Sequence, residues 1–327
     1  MNKTLIAGLL TLFGSVGVVA SAQAEHSEAH AWLDRMSHAQ REVSYEGVFV
    51  YEQGAAMHSL RIAHAVVDGL ESERLVSLDG EPREVIRKGH EISCIHPGDE
   101  KVRLDHAVPA GPFAQRFFGE PVQGLAAYQP QMGKPVRVAG RAAVSVILKA
   151  QDEWRYSHVL VLDSETGLLL RSEIVDAAGR VLERFQFTAL TIGTVDAAAL
   201  QPSAGGHAVP HHMAHTNDAA ASTTQAWVLE WVPAEFTMAM SDVNRSLGEQ
   251  AGVQMYTDGL AVFSVFVEPI QHQAPEMLMQ HGATVVYSKT VMINHQPLAV
   301  TVVGEIPVLA ARRLAASVRL TGDSDVQ

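Results

Sequence analysis

From Tyr45 onward the chain repeats one device, a short run of period-two alternation closed by a turn that contains glycine. Tyr45, Gly47, Phe49 and Tyr51 point one way, while Glu46, Val48, Val50 and Glu52 point the other. Asp68-Gly69, Asp79-Gly80 and Lys88-Gly89 punctuate the runs that follow. Such dipeptides between alternating segments mark tight hairpins, because both central residues of a type I′ turn need φ > 0. Residues 45–96 therefore read as an antiparallel meander, since parallel crossovers need a dozen or more linking residues. Trp154 to Leu162, Leu168 to Val175 and Arg180 to Ile192 continue the pattern, turning at Ser164-Glu165-Thr166-Gly167 and Ala177-Ala178-Gly179. About ten antiparallel strands in one domain make a strongly curved sheet or a partly open barrel, whose concave face must be covered.

Two segments can supply that cover. Ser27 to Val43 reads as a helix, with Trp32, Met36, Ala39 and Val43 at three- and four-residue spacing. Residues 97–135 carry six prolines, and their short apolar piece Phe113 to Phe118 is expected to add a helical turn. Strands are expected to resume near Val136.

The first 24 residues read as a signal peptide. Lys3 gives a positive start, Leu5 to Ala20 is apolar but broken by Gly8, Gly14 and Gly17, and Ala22-Gln23-Ala24 is a small-x-small cleavage pattern. A membrane anchor needs about 20 apolar residues, more than this run offers. The mature chain is thus expected to begin at Glu25 and to be exported, with the periplasm as its compartment. The balance of 24 lysines and arginines against 36 acids argues against a nucleic-acid binder, which needs cations to displace counterions. One cysteine, Cys94, excludes an intrachain disulfide framework and a Cys-rich metal centre.

Gln201 to Thr224 contains no Leu, Ile, Phe, Trp, Tyr, Lys or Arg. It cannot bury enough apolar surface to offset the entropy of ordering, and reads as a flexible linker. Beyond it, Trp227 to Val232 reads as a strand and Val253 to Val267 as a hairpin through Asp258-Gly259. Thr284 to Ile293 and Leu298 to Glu305 form a second pair. Pro307 opens a helix with the stripe Val308, Ala311, Ala315 and Val318, leaving Arg312, Arg313 and Arg319 on the other face. The expected fold is α+β and mostly antiparallel β. It comprises a large domain over residues 25–200, a strongly curved sheet or partly open barrel with covering helices, a linker at 201–224, and a smaller α+β domain at 225–320.

Chemistry is harder to find. The motifs of serine hydrolases, dinucleotide binders and P-loops are absent. Glu71 and Glu73 read as solvated hairpin faces, and Cys94 as a buried thiol in a strand, with intermolecular or redox use as the alternative. His207, His211, His212 and His215 fall close together, but Gly205, Gly206 and Pro210 argue against a rigid scaffold, so neither a metal site nor a cofactor is expected. The aromatics Tyr45, Phe49 and Tyr51, and Phe185 and Phe187, are in phase on their strands. Either they pack against the covering helices or some of them line an open apolar cavity.

Several stretches resemble the RseB/MucB family. They are Tyr45-Glu-Gly-Val-Phe-Val-Tyr51, Glu73-Arg-Leu-Val-Ser-Leu-Asp-Gly80, Arg83-Glu-Val-Ile-Arg87 and Cys94-Ile-His-Pro97. The second domain adds Gly259-Leu-Ala-Val-Phe-Ser-Val-Phe266, Gly282-Ala-Thr-Val-Val-Tyr-Ser288 and Val302-Val-Gly-Glu-Ile-Pro307. The resemblance implies a large domain similar to the lipoprotein carriers LolA and LolB, a half-open barrel with helices over an apolar cavity, and no enzymatic activity. It implies a regulator that binds the periplasmic segment of a membrane-spanning anti-sigma factor, RseA or MucA, and shields it from the site-1 protease. The resemblance further implies release of the regulator by mislocalised lipopolysaccharide or lipoprotein acyl chains. On this reading Tyr45, Phe49, Tyr51, Phe185 and Phe187 are the candidate acyl contacts, and Arg312, Arg313 and Tyr287 the candidate partner contacts. A lipid or lipoprotein carrier is the alternative function, a secreted hydrolase a weaker one. The oligomeric state stays open, with a homodimer among the options.

Overall fold

The structure is a computed structural model and describes residues 16–67, 69–89, 91–96, 125–203, 207–212, 227–242, 252–293 and 296–321. The start of the signal-peptide reading, the turn expected at Phe113 to Phe118, and His215 lie outside these residues.

Helix α1 (Val16–Glu42) begins well before the expected Ser27. Its buried stripe is Ala29, Leu33, Met36 and Ala39; Trp32 is only half-buried and Val43 lies past the helix end. Then come β1 (Tyr45–Gln53), β2 (Ala56–Val67), β3 (Leu70–Ser77), β4 (Glu84–Lys88), β5 (Glu91–His96), β6 (Tyr128–Met132), β7 (Val136–Val138), β8 (Arg141–Ala150), β9 (Ser157–Asp163), β10 (Leu169–Val175), β11 (Val181–Ile192) and β12 (His207–His212). Their order in one antiparallel sheet is β12-β5-β4-β3-β2-β1-β11-β10-β9-β8-β6, with β7 also on β8. The path ends at β12 and β6 without joining them, so the barrel is half open. Gly80, Gly89, Gly167 and Gly179 take positive φ at the hairpins where the sequence placed turns.

Three expectations are corrected. Pairing resumes at β6, before Val136. Trp154 to Tyr156 precede β9 rather than opening it. Part of the expected linker, His207–His212, joins the edge of β5 with His207 opposite His96 and His212 opposite Glu91. The free edge of β5 supplies that pairing, which no local propensity announces.

The second unit contains β13 (Trp227–Leu229), β14 (Thr237–Asp242), β15 (Gly252–Thr257), β16 (Val262–Pro269), β17 (Met277–His281), β18 (Thr284–Ile293), β19 (Gln296–Gly304), α2 (Val308–Ala316) and β20 (Val318–Leu320). Six of these strands form the sheet β14-β15-β16-β19-β18-β17, and β13 pairs with β20. The α2 helix buries Ala310, Ala311, Leu314 and Ala315 against Phe263, Val265, Val285, Val300 and Val302. Val318, expected on the helical stripe, belongs to β20 instead. Leu314→Ala in this fully buried position would cost about 2–5 kcal/mol. Neither β14 nor β17 was anticipated. All five residues of β17 are exposed, so an edge strand without a buried face leaves no period-two signature.

Candidate functional site

The pairing of β1 with β11 places Phe49 opposite Phe187 and Tyr51 opposite Phe185. Ring centroids are 4.8 Å apart for Phe49 and Phe185, 5.1 Å for Phe185 and Phe187, and 5.9 Å for Tyr45 and Phe187. Gly47 permits this approach: a Cβ there would stand 2.6 Å from the Ala189 carbonyl oxygen and 2.9 Å from the Phe187 ring. All five candidate aromatics are brought together, each at most 7% exposed, with Leu60, Ile62, Leu75, Val161, Leu168 and Leu170. Ala39 and Val43 at the end of α1, and Val136 and Val138 of β7, pack on the same cluster.

One end of this face is polar. Tyr45 stacks on His64 at 5.1 Å, and the His64 Nδ1 lies 3.0 Å from the Val43 carbonyl oxygen, which it satisfies as the protonated nitrogen. Glu73 pairs with His64 across β2 and β3. Arg87 donates to Glu71 at 2.7 Å and to Glu73 at 3.4 Å. The two glutamates are therefore not solvated hairpin faces, since Glu73 is 8% exposed and both neutralise a half-buried guanidinium. Burial pushes His64 below the usual histidine range against the opposing pull of Glu73, and it pushes the Tyr45 hydroxyl up. Burial would lower Arg87, but the two carboxylates outweigh it and hold the guanidinium charged.

The other end meets the small domain. The Tyr51 hydroxyl donates to Glu183 Oε2 at 2.6 Å, and Gln53 Nε2 donates to Glu183 Oε1 at 3.1 Å. The same Oε1 accepts the Ala283 backbone N–H at 2.9 Å, from the turn between β17 and β18. The Tyr156 hydroxyl reaches the Ile306 carbonyl at 3.2 Å, and burial followed by Asp176 and Glu183 pushes its pKa up to about 12. Further along, Arg155 donates to Asp258 at 2.6 Å and to the Ala234 carbonyl, and Tyr128 donates to Asp258 at 3.1 Å. The two domains are thus docked through a buried polar seam.

The candidate partner residues divide. Arg312 is exposed, lies 5.7 Å over the Tyr287 ring and pairs with Glu276 at 3.4 Å. Tyr287 itself is 4% exposed, so it offers almost no surface of its own. Burial, then a hydrogen bond with Glu276, raises its pKa. Arg313 instead covers Trp154 at 4.9 Å and Trp231 at 4.2 Å, which ties α2 to the large domain.

Sequence reasoning missed Arg155, Asp258 and Glu183. Glu183 did leave a signal: it shares the phase of Phe185 and Phe187, an acid on an otherwise apolar face. Asp258 has a sufficient local reading as half of an Asp-Gly turn. Among the described residues, no three His, Cys, Asp or Glu side chains are grouped to hold a metal ion. No helix among them is long and apolar enough to cross a membrane.

An open antiparallel sheet carrying a buried aromatic face and docked to a six-stranded domain defines a two-domain, mostly antiparallel β protein. The family model for the MucB/RseB N-terminal domain matches residues 28–225, and that for the C-terminal domain matches residues 221–319. The chain belongs to the MucB/RseB family. It is 38% identical over 315 residues to the sigma factor AlgU regulatory protein MucB of Pseudomonas aeruginosa, covering 95% of this chain and 96% of that one. It is 28% identical to the sigma-E factor regulatory protein RseB of Escherichia coli K12, covering 97% and 98%. Among solved structures, the Pseudomonas aeruginosa MucA/MucB complex superposes with a TM-score of 0.75 at 34% identity, covering 90% of this chain and 99% of that one. A structure of MucB alone superposes at 0.64 and 34% identity, covering 90% and 98%.

Proposed function

We propose that this chain is a periplasmic negative regulator of a sigma factor, and not an enzyme. It binds the periplasmic segment of a MucA- or RseA-like anti-sigma factor and shields that segment from site-1 proteolysis. Acyl chains of mislocalised lipopolysaccharide or lipoprotein, bound at the aromatic face of the large domain, release it. The observation that carries this reading is the similarity, across both domains, to MucB crystallised with MucA.

The physics is consistent. A segment disordered when free is ordered by docking, which withdraws it from a protease that needs an extended chain. An amphiphile that binds the unliganded regulator better than the complex must weaken the partner by the same factor. A chain of about twelve carbons transfers roughly 10 kcal/mol gross at ~0.8 kcal/mol per methylene, against an association cost on the order of 4–15. In this reading the acyl chain takes the place of part of the cover over Phe49, Phe185 and Phe187. Titrating purified protein and a MucA-like periplasmic peptide with lipid A should lower the peptide affinity. Peptide affinity indifferent to lipid A would end the release step, and no peptide binding at all would favour a lipid carrier.

A further inference from the structure

The aromatic face and the small domain share one carboxylate. Glu183 stands two residues before Phe185 on β11, in the same phase, and is 3% exposed. Its Oε2 takes the Tyr51 hydroxyl, while its Oε1 is divided between Gln53 and the Ala283 N–H. Among the described residues these donors are all neutral. A buried carboxyl group held this way depends on every donor, because losing one leaves a buried oxygen short of a hydrogen bond.

The turn it holds is seated without slack. Gly282 has φ 59°, and a Cβ there would stand 2.7 Å from Gln53 Cγ and 2.9 Å from Glu183 Oε1. Ala283 is fully buried among Tyr156, Ile174 and Leu182. Four residues on, β18 carries Tyr287 beneath Arg312. Tyr51 therefore has its ring in the aromatic cluster and its hydroxyl on the clasp that fixes the β17–β18 hairpin.

We infer that Glu183 is a positioning residue, a clasp that sets the β17–β18 hairpin according to where Tyr51 lies, so that a ligand moving Tyr51 unseats the hairpin. That Tyr51 sets the hairpin through Glu183 stands independently; that acyl ligands move Tyr51 rests on the proposed function. Two arrangements of the hairpin with different affinity for a partner are all that such coupling needs.

Hydrogen exchange on the full chain tests it, with Tyr51→Phe and Glu183→Gln as variants; the first keeps the ring and its packing. Exchange across residues 277–287 should rise tenfold or more in both, with no change across residues 143–163, and the double variant should exceed neither single. Unchanged exchange at 277–287 in Tyr51→Phe, or an equal rise in both regions, overturns the clasp. A twelve-carbon lysophospholipid below its micelle concentration should then slow exchange at 45–51 of the unsubstituted chain and speed it at 277–287. Slowing at 45–51 without speeding at 277–287 also overturns the clasp. No slowing at 45–51 overturns the lipid step of the proposed function instead, and the variants alone then decide the clasp.

Discussion

Arg155 and Asp258 meet at 2.6 Å with neither side chain exposed, one from the segment before β9 and the other from the turn between β15 and β16. Asp258 uses its other oxygen to accept the Leu260 and Ala261 N–H groups, so one carboxylate shapes its own turn and closes the seam. Asp258→Ala should cost on the order of 3–5 kcal/mol, because Arg155 stays buried and, among the described residues, keeps the partly exposed Asp152 as its one carboxylate partner. Asp258→Asn should cost less, since it keeps an acceptor for the turn. Urea unfolding of the full chain measures both, and equal midpoints for Asp258→Ala and the unsubstituted chain would contradict the seam.

His64 predicts an acid sensitivity near neutrality. Burial lowers its pKa in the folded chain, so the unfolded chain takes up a proton that the folded one refuses. Stability should then fall as pH drops below about 6.5, by up to about 1.4 kcal/mol per unit, until the folded value is reached. Comparing denaturation at pH 7.5 and 5.5 checks this: His64→Gln should flatten the difference.

Phe49→Ala should leave a void lined by Phe185 and Phe187 and cost about 3–5 kcal/mol. Phe49→Leu refills most of it and should cost less than half as much. If both substitutions prove harmless in thermal melts, the aromatic cluster is not a packed unit.

Two glycines separate conformational strain from collision. Gly69 has φ 78° with nothing within 4 Å of a Cβ, so Gly69→Ala should cost only the backbone term, about 1–2 kcal/mol. Gly282→Ala adds contact with Gln53 and Glu183 and should cost more. Matching midpoints in urea would show that the hairpin is not seated as described.

Arg312 and Arg313, neighbours on α2, should behave oppositely. Arg312 and Glu276 are each 53% exposed, so Arg312→Ala should alter stability by less than about 1 kcal/mol while weakening a MucA-like peptide. Arg313→Ala loses its stack on two tryptophans and should shift tryptophan emission and melting instead. Calorimetric peptide titration beside thermal melts reads both, and a reversed pattern would move the partner surface away from Arg312.

The meander was legible because its evidence is local: Asp79-Gly80 and Lys88-Gly89 state their turns within a few residues. So was the phase of Tyr45, Phe49 and Tyr51, because a half-buried strand imposes period two. The seam was not. Arg155 and Asp258 are 103 residues apart, and each has a sufficient local reading, as a charged strand residue and as a turn former. The strand at His207–His212 was hidden for a related reason, since its partner edge lies more than a hundred residues upstream and its own composition favours no structure.

The central pairing of the large sheet joins the residue at position 45 to the one at position 192. A chain delivered from its N-terminus cannot complete that ladder until β11 has emerged, so β1 must wait with its aromatic side chains unburied. Loop-closure entropy of this size makes folding slow and leaves the nascent form prone to aggregation. The middle of the finished sheet therefore closes only after the strands on both sides of it have been made, and a helper that shields β1 during synthesis should raise the yield more than one acting on the completed protein.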